Sequence, residues 1–390
     1  MRVLLAFDKF KDSLTAREAC ETAARALRSR HPDWQLDLCP LADGGDGFAE
    51  VLSRAVGGSL QKFPVSGPLG GWVDAAMGLV PVKKVPPAAL RLLQLEPAAS
   101  GDAPIAVIEM AAASGLALLP PEARDPWLTS SYGTGQLIRA ASEMGATAVL
   151  LGVGGSATND LGLGALSALG YEFRTATGGK LRPPVPATWS SLALVEGSLF
   201  PSIPPIRIAC DVSNPLLGVR GATAVYGPQK GLKPADFDRF EAALGAVAEL
   251  LAAACGAPAG LANQAGAGAA GGISFGLMAG ARARLLPGFE LVAAWLDLPA
   301  RLAAADLVIT GEGRFDQSSS EGKGPGAVAA QARALGKPLH LFAGQIGLAP
   351  ERAAEKGWHL HAITPAETPL PKALREAAAN LAAAVQRSFS

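Results

Sequence analysis

Acidic residues and glycines recur where the apolar, β-branched runs of this chain stop. RVLLAF (2–7) ends at Asp8-Lys9-Phe10-Lys11, and WQLDLCPL (34–41) runs into ADGGDG, which carries Asp43 and Asp46. TAVLLGVG (147–154) gives way to Gly154-Gly155-Ser156-Ala157-Thr158-Asn159-Asp160. IRIACDV (206–212) presents Asp211, with Asn214 and Gly218 beyond it, and DLVITGEG (306–313) presents Glu312, then Arg314, Asp316 and Lys323. In an open parallel sheet, ligands bind at the carboxyl ends of the strands, so these segments are where chemistry is expected.

Each segment has a functional and a plain structural reading. A carboxylate at Asp211 can take a hydroxyl proton or hold magnesium; equally, it can start an Asx-turn into Ser213-Asn214-Pro215. DGGDG can share a cation between Asp43 and Asp46 or simply turn the chain. In GGSATND the glycines allow close backbone approach to a ligand, while hydroxyl and amide groups suit a small polar molecule. The same segment can cap a helix over LGLGALSAL through Ser156, Thr158 or Asp160, and a helix start also favours a bound anion. Lys230, in YGPQKG, is either pointed inward by the flanking Pro and Gly or solvated at the surface.

Several chemistries are disfavoured. No GxxxxGK[ST] phosphate loop exists, since Gly322-Lys323 lacks both the leading Gly and the hydroxyl residue. Gly152, Gly154 and Ala157 match a dinucleotide fingerprint, with Glu172 at about the right distance, which supports a rival reading as an NAD(P)-dependent oxidoreductase. A second match at Gly266, Gly268 and Gly271 follows no strand, which shows how readily 46 glycines generate the pattern. The histidines have neither acid/base nor metal-ligand spacing, and His340, His359 and His361 read as residues of late strands.

The elements that must position these residues alternate between short strands and helices, the pattern of α/β domains with largely parallel sheets. Thr15 and Glu18 form a capping box opening a helix with Ala19, Ala23 and Leu27 on its inner stripe. Length predicts two domains, and 49% apolar against 17% charged residues predicts ample cores. Pro- and Gly-rich residues 62–74 and the renewed alternation over 284–300 mark borders. Lys plus Arg equals Asp plus Glu at 34 each, which argues against a nucleic-acid partner. The uncharged stretch 250–281 is Ala/Gly-rich and interrupted by Pro258, Asn263 and Gln264, so no membrane association is expected. Four dispersed cysteines and a short N-terminal apolar run fit a cytoplasmic protein.

Taken together, AFDKFKDSLTA (6–16), PLADGGDGF (40–48), GVGGSATNDLGLGALSALG (152–170), IACDVSNPLLGVRGATAVYGPQKG (208–231), GAGAAGGISFGL (266–277) and DLVITGEGRFDQSSSEGKGPGAVA (306–329) resemble the bacterial-type glycerate kinase family from end to end. The resemblance implies a discontinuous flavodoxin-like domain (1–64 and 289–390) with a second α/β domain (65–288) inserted. It also implies transfer of the ATP γ-phosphate to D-glycerate with Mg2+, usually at the 2-hydroxyl. Under that reading Lys11 and Lys230 neutralise phosphate charge, and Gly154, Gly155 and Lys323 contact the nucleotide. Asp43, Asp46 or Glu312 hold magnesium, and Asp211 or Asp160 orients and deprotonates the hydroxyl. Ser156, Thr158 and Asn159 bind glycerate, its carboxylate resting on the following helix start or on Arg314. The chain departs from the family pattern at Lys9 (usually Ser), Asp12 (usually Gly) and Ser318 (usually Gln). A non-catalytic sensor of sugar acids or phosphate is the alternative outside enzymes.

Overall fold

The computed structural model describes residues 1–95, 102–317, 319 and 324–389. Among these, thirteen strands follow one another as β1 (Arg2–Phe7), β2 (Gln35–Leu38), β3 (Ser59–Ser66), β4 (Trp72–Pro81), β5 (Pro104–Glu109), β6 (Ala148–Gly152), β7 (Tyr171–Thr175), β8 (Leu192–Gly197), β9 (Ile206–Ala209), β10 (Arg284–Leu286), β11 (Leu307–Phe315), β12 (Leu339–Ile346) and β13 (His359–Ala362). The chain divides into two compact units, one of Met1–Asp43 with Val292–Ser390 and one of Gly44–Leu291.

The first unit is built on five parallel strands in the order β13-β12-β11-β1-β2. Counted within the unit this is 2-1-3-4-5, the flavodoxin-like winding, and its topological switch lies between β1 and β11. β1 is apolar throughout because it is covered on both faces: Val3 to Phe7 are fully buried. The capping box forms as expected, Glu18 N donating to Thr15 Oγ1 (3.1 Å) and Thr15 N to Glu18 Oε2 (2.8 Å). It starts the helix Ala16–Arg28, whose Ala19, Ala23 and Leu27 pack with Leu381 and Val385 over Val3, Leu5, Phe7 and Ile309.

The second unit holds a six-stranded sheet in the order β10-β9-β6-β5-β4-β3, parallel from β10 to β5 and antiparallel at β4 and β3, and the separate hairpin β7–β8. The Pro/Gly-rich border expected at 62–74 is instead the turn of the β3–β4 hairpin. Pro64 is tolerated in β3 because that strand is at the sheet edge, where a missing N–H need not break a ladder. The compact units therefore divide at 43/44 and 291/292, whereas the sequence reading set the borders at 64/65 and 288/289. Among the described residues no helix is long and apolar enough to cross a membrane.

All four histidines belong to the first unit and gather around its last residues. His31 Nε2 lies 2.7 Å from Phe389 O, His340 Nδ1 3.0 Å from His361 Nε2, and Ser388 Oγ 3.2 Å from His361 Nδ1. The rings of His359 and His361 pack on that of His340, which also packs on Phe389. Burial, reinforced by His361 and His359, holds His340 down at about 4. Unfolded, it titrates near 6.5. Between those values the unfolded chain binds a proton that the folded chain refuses, so this contribution to stability is present above about pH 6.5 and is lost as pH falls towards 4. The thermal-midpoint advantage of wild type over His340→Gln is accordingly expected to shrink across that window; a pH-independent difference would refute the assignment.

Candidate functional site

In the second unit, β6 ends at Gly152 and the chain does not enter a helix until Leu163. The dinucleotide fingerprint requires the helix to open directly from the glycine turn, so the match at Gly152, Gly154 and Ala157 lacks its structural context. The intervening loop is instead pinned from several sides. Gly154 N donates to Gly44 O (2.9 Å), Ala157 N to Ser114 O (2.9 Å), Thr129 Oγ1 to Ala157 O (3.2 Å) and Leu161 N to Gly271 O (3.1 Å). Ala270, Gly271 and Gly272 all adopt left-handed backbone here, and a Cβ on Gly271 would stand 2.0 Å from Thr158 O. The glycine-rich segment 266–277 thus serves to wrap this loop closely.

Lys230 closes the loop from the other side. Its Nζ donates to Thr158 O (2.6 Å), Ser156 Oγ (2.9 Å) and Asn159 Oδ1 (3.1 Å), and the residue is 1% exposed. Of the two readings the sequence left open, the inward lysine is the one the structure has; its contacts with Ser156, Thr158 and Asn159 were not anticipated. It cannot, however, touch a phosphate from this position, because protein oxygens take all three ammonium hydrogens. Burial pushes Lys230 down to about 7, against the pull of Asp160. Thr158 Oγ1 and Asn159 Nδ2 are buried beside it without hydrogen-bond partners, so the loop has more polar capacity than its own groups satisfy.

The carboxylates on this sheet edge are engaged with backbone. Asp160, fully buried, accepts from Ser131 N and Oγ (both 2.7 Å), Gly162 N (3.1 Å) and Gly164 N (3.2 Å); burial raises its pKa despite those donors. It therefore occupies the helix start on which glycerate's carboxylate was expected to rest, and it has no access to a substrate hydroxyl. Asp211 Oδ2 accepts from Phe289 N (2.9 Å) at the start of the helix Gly288–Trp295. Asp160 is therefore not placed as the general base that the sequence suggested, whereas Asp211 is half-buried. Glu109, which the sequence reading passed over, receives the N–H groups of Gly47, Phe48 and Ala49, and burial raises it to about 7. Gly154 is spent on packing, since a Cβ there would meet Gly45 Cα at 2.7 Å and its N–H is already donated. Gly155 is exposed, and Asp46 Oδ1 lies 3.1 Å from where its Cβ would be.

The first unit differs. Asp8 follows β1 and Glu312 lies on β11, on the two sides of the switch point, with Asp43 and Asp316 near enough to repel them. Asp8 is raised to about 6, first by burial and then by Asp43, with Lys9 opposing. Glu312 is raised to about 7, first by burial and then by Asp8, Asp316 and Asp43, with Ser319 opposing; its Oε1 is buried without a partner. Lys9 Nζ pairs with Asp43 Oδ1 at 2.8 Å, so the residue that departs from the usual Ser supplies a local cation. Asp12 has φ 61°, a left-handed conformation in which Asp is among the few tolerated replacements for Gly. Lys11 is exposed, its backbone against Gly313, and Arg314 is largely exposed with a long contact (3.5 Å) to Asp316. Lys323 and Ser318 lie outside the described residues. Asp8 was legible only as the end of a buried strand; its partnership with Glu312 required the sheet order.

These placements set expectations for variants. Asp211→Asn keeps a helix-capping acceptor and should leave both stability and kcat within a few-fold, whereas Asp211→Ala should cost about 1 kcal/mol in denaturant unfolding. Asp160→Ala strands several buried donors and should cost about 3–5 kcal/mol. A hundredfold loss of kcat in folded Asp211→Asn would restore that residue as a base.

Comparison with known proteins bears on this geometry. The Glycerate kinase family pattern matches residues 3–390. A glycerate kinase of Haemophilus influenzae is 40% identical over 350 residues, covering 88% of this chain and 86% of the relative. The glycerate 2-kinase of Escherichia coli is 39% identical, covering 89% and 86%, and a glycerate kinase of Bacillus subtilis 38% identical, covering 97% and 94%. A crystal structure from Salmonella typhimurium, provisionally named glycerate kinase 2, superposes with TM-score 0.77 at 38% identity, covering all of this chain and 97% of the other. A two-unit α/β chain matched over nearly its whole length by these proteins belongs to the glycerate kinase family.

Proposed function

We propose that this protein is an ATP-dependent glycerate kinase of the cytoplasm, transferring the γ-phosphoryl group to D-glycerate and giving 2-phosphoglycerate and ADP. The observation that carries the reading, beside family membership, is the group of carboxylates Asp8, Glu312 and Asp43 at the β1/β11 switch point. Mutually repelling, partly buried carboxylates with a partnerless oxygen at Glu312 fit a cation and its anionic ligand better than they fit one another.

Magnesium suits this donor set. Among the described residues no three side chains form a ready cage, and Mg2+ is usually held by one or two carboxylates together with phosphates and water. One or two of Asp8, Glu312 and Asp43 would hold it together with phosphate and water, and it would neutralise phosphate charge. Asp46, which the sequence grouped with them, lies against Gly155 in the other unit. Phosphoryl transfer otherwise needs positioning and charge neutralisation. Lys11 and Arg314 are the exposed cations suited to phosphate or carboxylate oxygens, Arg314 in bidentate fashion. In the second unit exposed Gly155, with Ser156 buried beside it, would take the small polyol end of glycerate, and the cage beneath holds that loop still.

The purified protein is expected to release ADP only when D-glycerate and a divalent cation are both present, with 2-phosphoglycerate seen by phosphorus NMR. Turnover of NAD(P) with glycerate and no ATP would overturn the reading. Glu312→Gln should raise the Mg2+ concentration needed both for activity and for thermal stabilisation by Mg-ATP at least about tenfold, the lower end of what metal sites lose with their supporting groups. Unchanged Mg2+ dependence would remove Glu312 from the site.

A further inference from the structure

Asp160, one of the two carboxylates expected to deprotonate the acceptor hydroxyl, is fully buried on protein donors, which directs the search for a proton acceptor beside Gly155 to the cage itself. We propose, on the kinase reading above, that Ser156 and Lys230 form a proton relay: Ser156 Oγ takes the proton of the attacking glycerate hydroxyl while passing its own to Lys230 Nζ.

The geometry of the cage carries the inference. Lys230 Nζ faces three oxygens, and two of them, Thr158 O and Asn159 Oδ1, are carbonyl oxygens that can only accept. A charged ammonium donates to all three. A neutral amine has two hydrogens and one lone pair; the hydrogens go to the two carbonyl oxygens, which leaves the lone pair facing Ser156, the one partner able to donate. The cage thus accommodates both protonation states without moving a heavy atom, and only the hydrogen between Ser156 Oγ and Lys230 Nζ, 2.9 Å apart, changes owner. Burial brings the lysine to about 7, so both forms are populated at neutral pH; Asp160, the charged group that acts on it, favours the protonated one. Lys230 is 1% exposed and cannot meet substrate, whereas Ser156 keeps 6% and adjoins exposed Gly155. In the proposed relay the hydroxyl is the group next to substrate, and the amine behind it is the acceptor.

In the reaction the glycerate oxygen bonds to the γ-phosphorus, and the bond from that phosphorus to the β,γ-bridging oxygen breaks, its electron pair leaving on ADP. The hydroxyl proton goes to Ser156 Oγ, and the serine proton goes to Lys230, which becomes an ammonium. After product leaves, the proton returns through Ser156 to water.

The test is the pH dependence of steady-state turnover with Mg-ATP and D-glycerate for wild type and Ser156→Ala, a small deletion whose folding is checked by thermal midpoint. Wild-type kcat/KM should fall on the acid side with an apparent pKa near 7. Ser156→Ala should lose about 10²-fold in kcat, the scale of a lost proton acceptor, together with that acid limb. A variant with kcat within a few-fold and the limb intact, or with only KM raised, overturns the relay while leaving the kinase reading standing. Absence of glycerate-dependent ATP turnover in wild type overturns the kinase reading and the relay with it.

Discussion

A carboxylate at the end of a buried strand has lost much of its water, and it must find hydrogen-bond donors or a cation. This protein places such groups on the carboxyl edges of both its parallel sheets, and how each is compensated separates scaffold from chemistry. In the second unit Asp160, Asp211 and Glu109 each take backbone N–H groups at a helix start, where the helix dipole favours negative charge. In the first unit Asp8 and Glu312 face one another across the switch point, with Asp43 adding repulsion and Lys9 only partly offsetting it. Fixed protein groups complete the first arrangement. The second is left with a surplus of negative charge, which a bound cation and its phosphates would absorb.

What could be read from the sequence follows the range of the interactions involved. The capping box at Thr15 and Glu18 is a three-residue motif and was legible at once. β1 and β11 were legible because strands covered on both faces are continuously apolar. The edge strand β3 and its hairpin partner β4 were not, since Pro64 and the glycines around 67–71 imitate a linker unless one knows that β3 has a neighbour on one side only. The backbone partners of Asp160 and Asp211 could not be read for a related reason. Ser131 lies 29 residues from Asp160 and Phe289 lies 78 from Asp211, so nothing local announces that these carboxylates are already occupied.

Lys230 shows the same limit from the other direction. The flanking Pro and Gly allowed an inward lysine as one of two readings, and nothing in the sequence put it against Ser156 and Asn159. The number of its acceptors was what changed its meaning. A lysine with three protein oxygens around it and almost no exposure cannot be a phosphate clamp, yet those same three oxygens make it a defined proton site.

The rigidity of the 154–160 loop belongs to the same account. Its backbone is fixed by Gly44, Ser114, Thr129, Lys230 and Gly271, drawn from segments far apart in the chain, and its carboxylate by Ser131. Glycines are placed where backbones must nearly touch, so the loop can be clamped on several sides with little side-chain bulk. Such clamping has a chemical use only if some part of the loop is left at the surface, and in this loop Gly155, next to Ser156, has that position. A hydroxyl held in one place by a rigid loop, with a lysine of shifted pKa behind it, needs little reorganisation when a proton moves. The dense internal bonding that removed Asp160 and Lys230 from direct contact with substrate is thus the feature that would let Ser156 act at the surface.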